Sequence, residues 1–577
     1  LPARGNSRSG GLMTARPVDF VFTLHSHLPY VLNHGRWPHG SDWLCEAALD
    51  TYLPLLEVLR RLAAEAVPAP VTMGFTPVLA NQLSDRSFAG EMENFFRQRI
   101  EACNQAPASL EKTGETHLLP LVQFWRDRLS RLQELFHQVG QDLVGAFRAL
   151  ESDGRLEIIG SAATHGYLPL LARDESIRLQ LAVGVSEHRR LFGRTPAGCW
   201  LPECAYRPRG PWDPWPTAPR MGMRRGIEEH LADAGFQFFF VDAHLAAAGR
   251  PLGLSGDPAA DPIAHRPASP PTLGEPHRSP YRAYRVARSS VAAYVRDPRA
   301  SMQVWSRFEG YPGDESYLEF HKMRWPGGLK LWRVSGPGVD LGQKQPYSPE
   351  SASERAKGHA EHFAHLLARI AAGPAQSREG VIVAPFDTEL FGHWWFEGPE
   401  FLGDVYQSLV RLKDSVQPAT GSRHLREHPP RAAIRLPWGS WGANGDSSMW
   451  LSESTAWTWE RLWPLEQAFW DVAPNAIASP AARPVLAQAA RELLLAQSSD
   501  WQFIISTGAA ADYAEKRFRE HCTDAENLVA ALATGAEGTL EEAQRRSQTL
   551  EQRDRIFPNI IPAIAAALGG SRSLVVG

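Results

Sequence analysis

Read from its amino terminus, the chain alternates short apolar runs with longer stretches whose apolar residues recur at helical spacing. The runs are 18–24 (VDFVFTL), 71–75 (VTMGF), 155–161 (RLEIIGS), 197–201 (AGCWL), 236–242 (FQFFFVD), 291–295 (VAAYV) and 380–386 (GVIVAPF). Each is short and mostly apolar and reads as a strand; the last, β-rich and bounded by Pro, predicts a buried strand of a parallel sheet. The stretches 46–65, 121–151 and 350–372 carry the helical period; Val122, Trp125, Leu129, Leu132, Leu135 and Phe136 line one face of such a helix. Strands alternating with helices make right-handed parallel units, so the expected fold is an α/β barrel of about seven strands.

Two segments interrupt this rhythm. Residues 246–280 hold eight Pro, too many for a packed element, so 246–285 is expected to be an insertion or lid loop. Residues 414–433 (DSVQPATGSRHLREHPPRAA) are polar and Pro-rich and are expected to be a linker into a mainly helical domain, 414–577. The barrel then occupies 13–245 and 286–413, with inserted helical elements. Residues 1–12 read as a leader before Met13, without the apolar core of a signal peptide.

A formal charge of −4 with no dense basic run argues against nucleic acid and against an anionic membrane surface. No run of about 18 apolar residues occurs. The five Cys form no CxxC pair and read as reduced thiols in a cytosolic enzyme; a monomer is expected. Nineteen Trp is a high count, and polysaccharide binding is one reason for it.

The residues that end the runs carry the chemistry. His25 and His27 (LHSHLPY) follow the first run, His165 (ATHGY) the third and Glu203 (WLPECAY) the fourth. Asp242 with His244 follows the fifth and Asp387 (PFDTE) the seventh. A barrel converges such positions on one mouth. Two chemistries fit. Glu203 and Asp387, on different strands, are a carboxylate pair of the kind that cleaves glycosidic bonds, one as nucleophile and the other as an acid kept protonated. Alternatively, His25, His27, Asp242 or Asp387 would hold a divalent metal, as in carbohydrate deacetylases. The one HxxxH pair, His424 and His428, falls in the polar segment and is expected to be solvated.

Longer motifs narrow the choice. HSHLPY (25–30), ATHGYLPLL (163–171), GCWLPECAY (198–206), 224–244 and APFDTELFGHWWFEGPEFL (384–402) resemble, in order, the motifs of glycoside hydrolase family 57. Within it they most resemble the 1,4-α-glucan branching enzymes. The match continues through 304–321, SWGANGDSSMW (440–450) and SSDWQFIISTG (498–508).

The resemblance implies a (β/α)7 barrel, an incomplete TIM-like barrel, with a C-terminal helical domain, retaining α-glucan chemistry and no metal or other cofactor. It puts Glu203 in the nucleophile's place and Asp387 in the acid/base's. It makes His27 and His165 substrate-binding residues and sets Trp305, Trp441 and Trp501 along the glucan cleft, with Trp37 and Asp500 as additions. Tyr281 and Tyr284 stand as candidates for a tyrosine laid over the cleft. The chain departs from the family at Asn444-Gly445-Asp446-Ser447, where an expected His is missing.

Overall fold

The computed structural model describes residues 16–254, 278–305, 310–377 and 379–569. All seven predicted strands form: β1 (Val18–Ser26), β2 (Val71–Phe75), β3 (Leu156–Ser161), β4 (Gly198–Trp200), β5 (Phe238–Val241), β6 (Ala292–Val295) and β7 (Val381–Asp387). They pair in parallel in the order β7-β1-β2-β3-β4-β5-β6, a sheet curled into a barrel. Among the described residues there is no ladder between β6 and β7. That seam is bridged by single bonds, from Asp297 N–H to the Val383 carbonyl at 2.8 Å and from Val381 N–H to the Tyr281 carbonyl at 3.1 Å.

The period of two along each strand divides the core. Phe20, Phe22 and Leu24, Ile382, Ala384 and Phe386, and Phe239 and Val241 face the helical layer. Their neighbours Val21, Ile159, Trp200, Phe238, Phe240, Tyr294, Val381 and Val383 fill the barrel interior as a separate cluster. On that parity His25, Asp242 and Asp387 point inward at the strand ends, the place where a barrel builds its site.

Outside lie the helices Leu53–Ala64, Arg86–Thr113, Leu119–Gln138, Asp174–Phe192, Pro349–Ala372 and Gly398–Arg411. In Leu119–Gln138 the buried residues are Leu121, Val122, Trp125, Leu129, Leu132, Leu135 and Phe136, the stripe predicted from spacing.

The segment 414–433 is not a linker. Its strand Val416–Pro418 lies parallel to β1, and its helix Gly421–Glu427 follows. His424 is buried against Asp19, Nδ1 to Oδ2 2.7 Å, and is not solvated as expected. A further strand, Ala432–Arg435, pairs antiparallel with Arg250–Leu254 and parallel with Tyr284–Val286. Both ends of the expected lid segment 246–285 are therefore sheet; residues 255–277 lie outside the described residues.

The helical domain begins at the helix Ala456–Ala478, which is followed by Arg483–Ala496, Asp500–Thr507, Ala511–Thr534, Glu537–Arg553 and Ile560–Leu568. It is docked on the barrel by polar bonds at buried positions. The Trp463 indole donates to the Leu170 carbonyl at 3.0 Å, Ala172 N–H to Glu466 at 2.8 Å and Arg517 to the Tyr30 carbonyl at 2.8 Å. Among the described residues no helix is long and apolar enough to cross a membrane.

Candidate active site

Glu203 sits in the turn Pro202–Cys204 that leaves β4, with φ +61° in the left-handed region that non-glycine residues rarely adopt. Strain of this kind persists only where the surroundings over-determine it. Here Cys204 N–H bonds the Leu201 carbonyl at 2.9 Å, and Trp441 N–H bonds the carbonyl of Glu203 itself at 3.0 Å. Two donors reach the carboxylate. The Trp441 indole N–H lies 2.9 Å from Oε2 and the Ser499 hydroxyl 3.1 Å from Oε1.

Asp387 ends β7 opposite His25 of β1, to which it is register-paired. Among the described residues no hydrogen-bond donor reaches its carboxylate. Burial pushes Asp387 up to about 7, helped by the negative neighbour Glu389 and opposed by His27 and Arg296. Burial also pushes Glu203 up to about 7; the Trp441 bond opposes this and the charge of Asp387 adds to it, so the two carboxyls feel each other across the mouth. Both face like charges, but their hydrogen bonding differs: Glu203 is provided with donors that favour its anion, while Asp387 has none among the described residues.

The predicted histidines form one stack. His27 and His165 have ring centroids 4.0 Å apart, His25 and His165 4.9 Å, and His25 lies flat on Trp200 at 4.7 Å. His27 is held by Thr76 Oγ1 at Nδ1 and Asp500 Oδ2 at Nε2, both 2.9 Å away. His165, also at positive φ (+58°), contacts Ser499 Oγ through Nδ1 at 2.9 Å and His25 through Nε2 at 3.0 Å. Burial first, and then neighbouring imidazoles, hold His25 and His165 well below the ordinary histidine range, so both are neutral. Burial would raise Asp500, but the charge and hydrogen bond of His27 outweigh it and keep the carboxylate below its usual range.

Glu389, two residues beyond Asp387, accepts the Tyr52 hydroxyl and, at 3.2 Å, the His27 backbone N–H. It braces the His27 loop. His27, His165 and Asp500 bring one ligand-type atom each within 4.8 Å of one another, yet both nitrogens of each imidazole already contact protein partners. Asp242 caps the helix Ala243–Ala248 and pairs with Arg296 at 3.3 Å.

The tryptophans separate. Trp441 packs edge-on to Trp200 at 5.0 Å and lies 6.1 Å from Trp305, which ends the helix Pro298–Trp305 and is 45% exposed. Together they form an aromatic wall beside Glu203. Trp37 is 72% exposed on a loop facing the helix Ala511–Thr534, where it shares a cavity of about 340 Å³ with Tyr513 and Lys516. Trp501 does not line the cleft. It is fully buried beneath Arg517, with its indole N–H on the Leu495 carbonyl at 2.8 Å, because its helix turns that face into the domain core.

The lid tyrosines are likewise corrected. Tyr284 is buried in a strand, its hydroxyl donating to the Ser279 carbonyl at 2.7 Å, and Tyr281 is buried against Asp297 at 3.2 Å. At the turn lacking the expected histidine, His244 arrives from the β5 loop and lies 3.0 Å from the Gly445 carbonyl.

Sequence reasoning missed Ser499, Arg296 and Tyr52. Ser499 alone had a signal, its place beside Asp500 in SSDW. A cavity of about 900 Å³ lined by Arg209, Arg225, Arg288 and Arg435 has no aromatic residue in its lining, which suits a glucan poorly.

Glu203 and Asp387 thus stand at the ends of β4 and β7 of a seven-stranded barrel whose helical domain reaches into the same mouth. Residues 21–437 match the model of glycosyl hydrolase family 57. The chain belongs to glycosyl hydrolase family 57. Residues 465–564 match a second model, the C-terminal region of 1,4-alpha-glucan branching enzymes. A 1,4-alpha-glucan branching enzyme of Thermococcus kodakarensis is 38% identical over 94% of this chain and 77% of its own length. The crystal structure of a family 57-type branching enzyme from Pyrococcus horikoshii superposes with a TM-score of 0.83 at 36% identity, covering 96% of this chain and 97% of that one. An alpha-amylase from Thermotoga maritima superposes at 0.76 with 29% identity, covering 95% and 99%. This family 57 chain therefore carries both the catalytic and the branching-enzyme modules.

Proposed function

We propose that this family 57 enzyme is a retaining 1,4-α-glucan branching enzyme that cleaves an α-1,4 link and transfers the freed chain to a glucan 6-hydroxyl. One observation carries the assignment of roles. Glu203 accepts two hydrogen bonds, whereas Asp387 accepts none among the described residues, and both face the same mouth. The bonded carboxylate is the better anion and so the nucleophile; the unbonded one keeps its proton and so is the acid.

In the first step Glu203 attacks the anomeric carbon while Asp387 passes its proton to the departing glycosidic oxygen. A glycosyl ester forms on Glu203. Asp387, now ionised, takes the proton of a 6-hydroxyl; that oxygen attacks the anomeric carbon, Glu203 leaves, and an α-1,6 bond results with the anomeric configuration retained. His27, fixed by Thr76 and Asp500, stacks on His165 at the mouth, and Trp441 with Trp305 presents ring faces to the chain. Water in place of the 6-hydroxyl gives hydrolysis. The likeness to an α-amylase makes that the competing outcome.

The test uses an activated donor. With α-glucosyl fluoride, Asp387→Asn completes the first step without acid help and stalls in the second. Mass spectrometry of its peptic peptides finds the sugar on the peptide containing Glu203. Label on any other carboxylate contradicts the assignment.

A further inference from the structure

The hydrogen bonds behind Glu203 can be assigned proton by proton. An ionised carboxylate only accepts, so the Ser499 hydroxyl, 3.1 Å from Oε1, spends its hydrogen on Glu203. Ser499 Oγ, 2.9 Å from His165 Nδ1, is then the acceptor there, and Nδ1 carries the imidazole proton. His165 Nε2 is left bare and faces His25 Nε2 at 3.0 Å, so His25 is the Nε2–H tautomer. The last atom in the line, His25 Nδ1, is then bare, and it is a buried nitrogen without a partner. Every proton in the series points toward the nucleophile.

The line crosses from one module to the other. His25 ends β1 and His165 follows β3, whereas Ser499 belongs to the region matching the branching-enzyme C-terminal model. Its backbone is clamped as well: Ser499 N–H donates to the His165 carbonyl at 3.2 Å, and Ser498 forms an isolated bridge with Gly166. Ser499 has no exposed surface. It is placed by two backbone anchors and two side-chain bonds.

We infer that Ser499 is a positioning residue for the nucleophile: its hydroxyl, oriented by the neutral His25–His165 line, holds Glu203 ionised and fixed in its strained turn. This rests on the reading of Glu203 as nucleophile. The other groups facing Glu203 are Asp387, Asp500, His27, His165, Tyr167 and Cys204. Of the partners that act on its charge, the two carboxylates oppose its ionisation and His27 favours it. Removal of one donor shifts that balance toward the protonated form.

Ser499→Ala is therefore expected to lower kcat for chain transfer about 10- to 100-fold with KM changed much less. The acidic limb of kcat/KM should rise by about one pH unit, and Ser499→Thr, which keeps the hydroxyl, should bring the limb back. A merely structural serine would lower the melting temperature and leave the limb of the folded fraction where it was, which overturns the inference. The unmutated enzyme offers a second test: ¹⁵N NMR of labelled histidines should show His165 as the Nδ1–H tautomer at neutral pH, and an Nε2–H His165 overturns the inference too. Glu203→Gln is assayed alongside. If it stays active, the nucleophile assignment falls; if it is inactive while Ser499→Ala is normal, only this inference falls.

Discussion

Trp441 holds Glu203 twice, by its backbone N–H on the Glu203 carbonyl at 3.0 Å and by its indole N–H on Oε2 at 2.9 Å. The residue that supplies a ring face beside the nucleophile also orients that nucleophile, so its two roles can be separated. Trp441→Phe keeps an aromatic face and removes the side-chain donor. A charge-assisted bond of this kind is worth about 1.5–3 kcal/mol, so kcat/KM should fall about 10- to 100-fold. Steady-state kinetics on amylose with a parallel melting curve checks this; a large fall in melting temperature with normal kcat/KM would count against it.

The pH profile follows from the two carboxyls. Turnover needs Glu203 ionised and Asp387 protonated, and burial pushes both up to about 7. The acidic limb therefore belongs to Glu203 and the alkaline limb to Asp387, with a narrow optimum near neutrality. Glu389 raises Asp387 by its negative charge. Glu389→Gln should keep turnover within severalfold, because an amide oxygen can still accept from Tyr52 and His27. It should also move the alkaline limb to lower pH, since Asp387 then loses its proton sooner. An alkaline limb that moves up or stays put in Glu389→Gln contradicts this assignment.

Trp501 is a stability residue. Deleting a buried indole packed beneath Arg517 should cost about 3–5 kcal/mol. Trp501→Ala should lose several degrees of melting temperature while the rate per folded molecule stays near normal. A stable Trp501→Ala with a high KM would return it to the cleft.

The His27, His165 and Asp500 cluster gives a metal prediction. Both nitrogens of each imidazole contact protein partners, and the chemistry runs on carboxylates, so prolonged dialysis against EDTA should leave glucan transfer unchanged. Activity lost on chelation and restored only by zinc would overturn the mechanism.

Much of the fold was legible because strands buried on both faces are mostly apolar, and all seven stood out as short, largely apolar runs in the chain. The inward parity of His25 and Asp387 follows from the same runs once their register is known. What escaped is governed by long-range packing. The strands Val416–Pro418 and Tyr284–Val286 are three residues each and draw their stability from neighbours far away in sequence. His424 looks like a solvated histidine until Asp19 is seen beside it. Trp501, Tyr281 and Tyr284 carry the same aromatic signal as Trp441 and Trp305, and only the tertiary structure says which rings reach the cleft. Ser499 is visible only through its two partners, since a serine hydroxyl has no periodicity to betray it.

The most direct test is to incubate the enzyme with linear amylose and follow α-1,6 anomeric protons by NMR while counting reducing ends. A branching enzyme that uses Glu203 and Asp387 should build α-1,6 signals with few new reducing ends, and Glu203→Gln should lose this by roughly 10³-fold or more. Reducing ends that rise without α-1,6 signals, or a Glu203→Gln variant that still branches, would contradict the account.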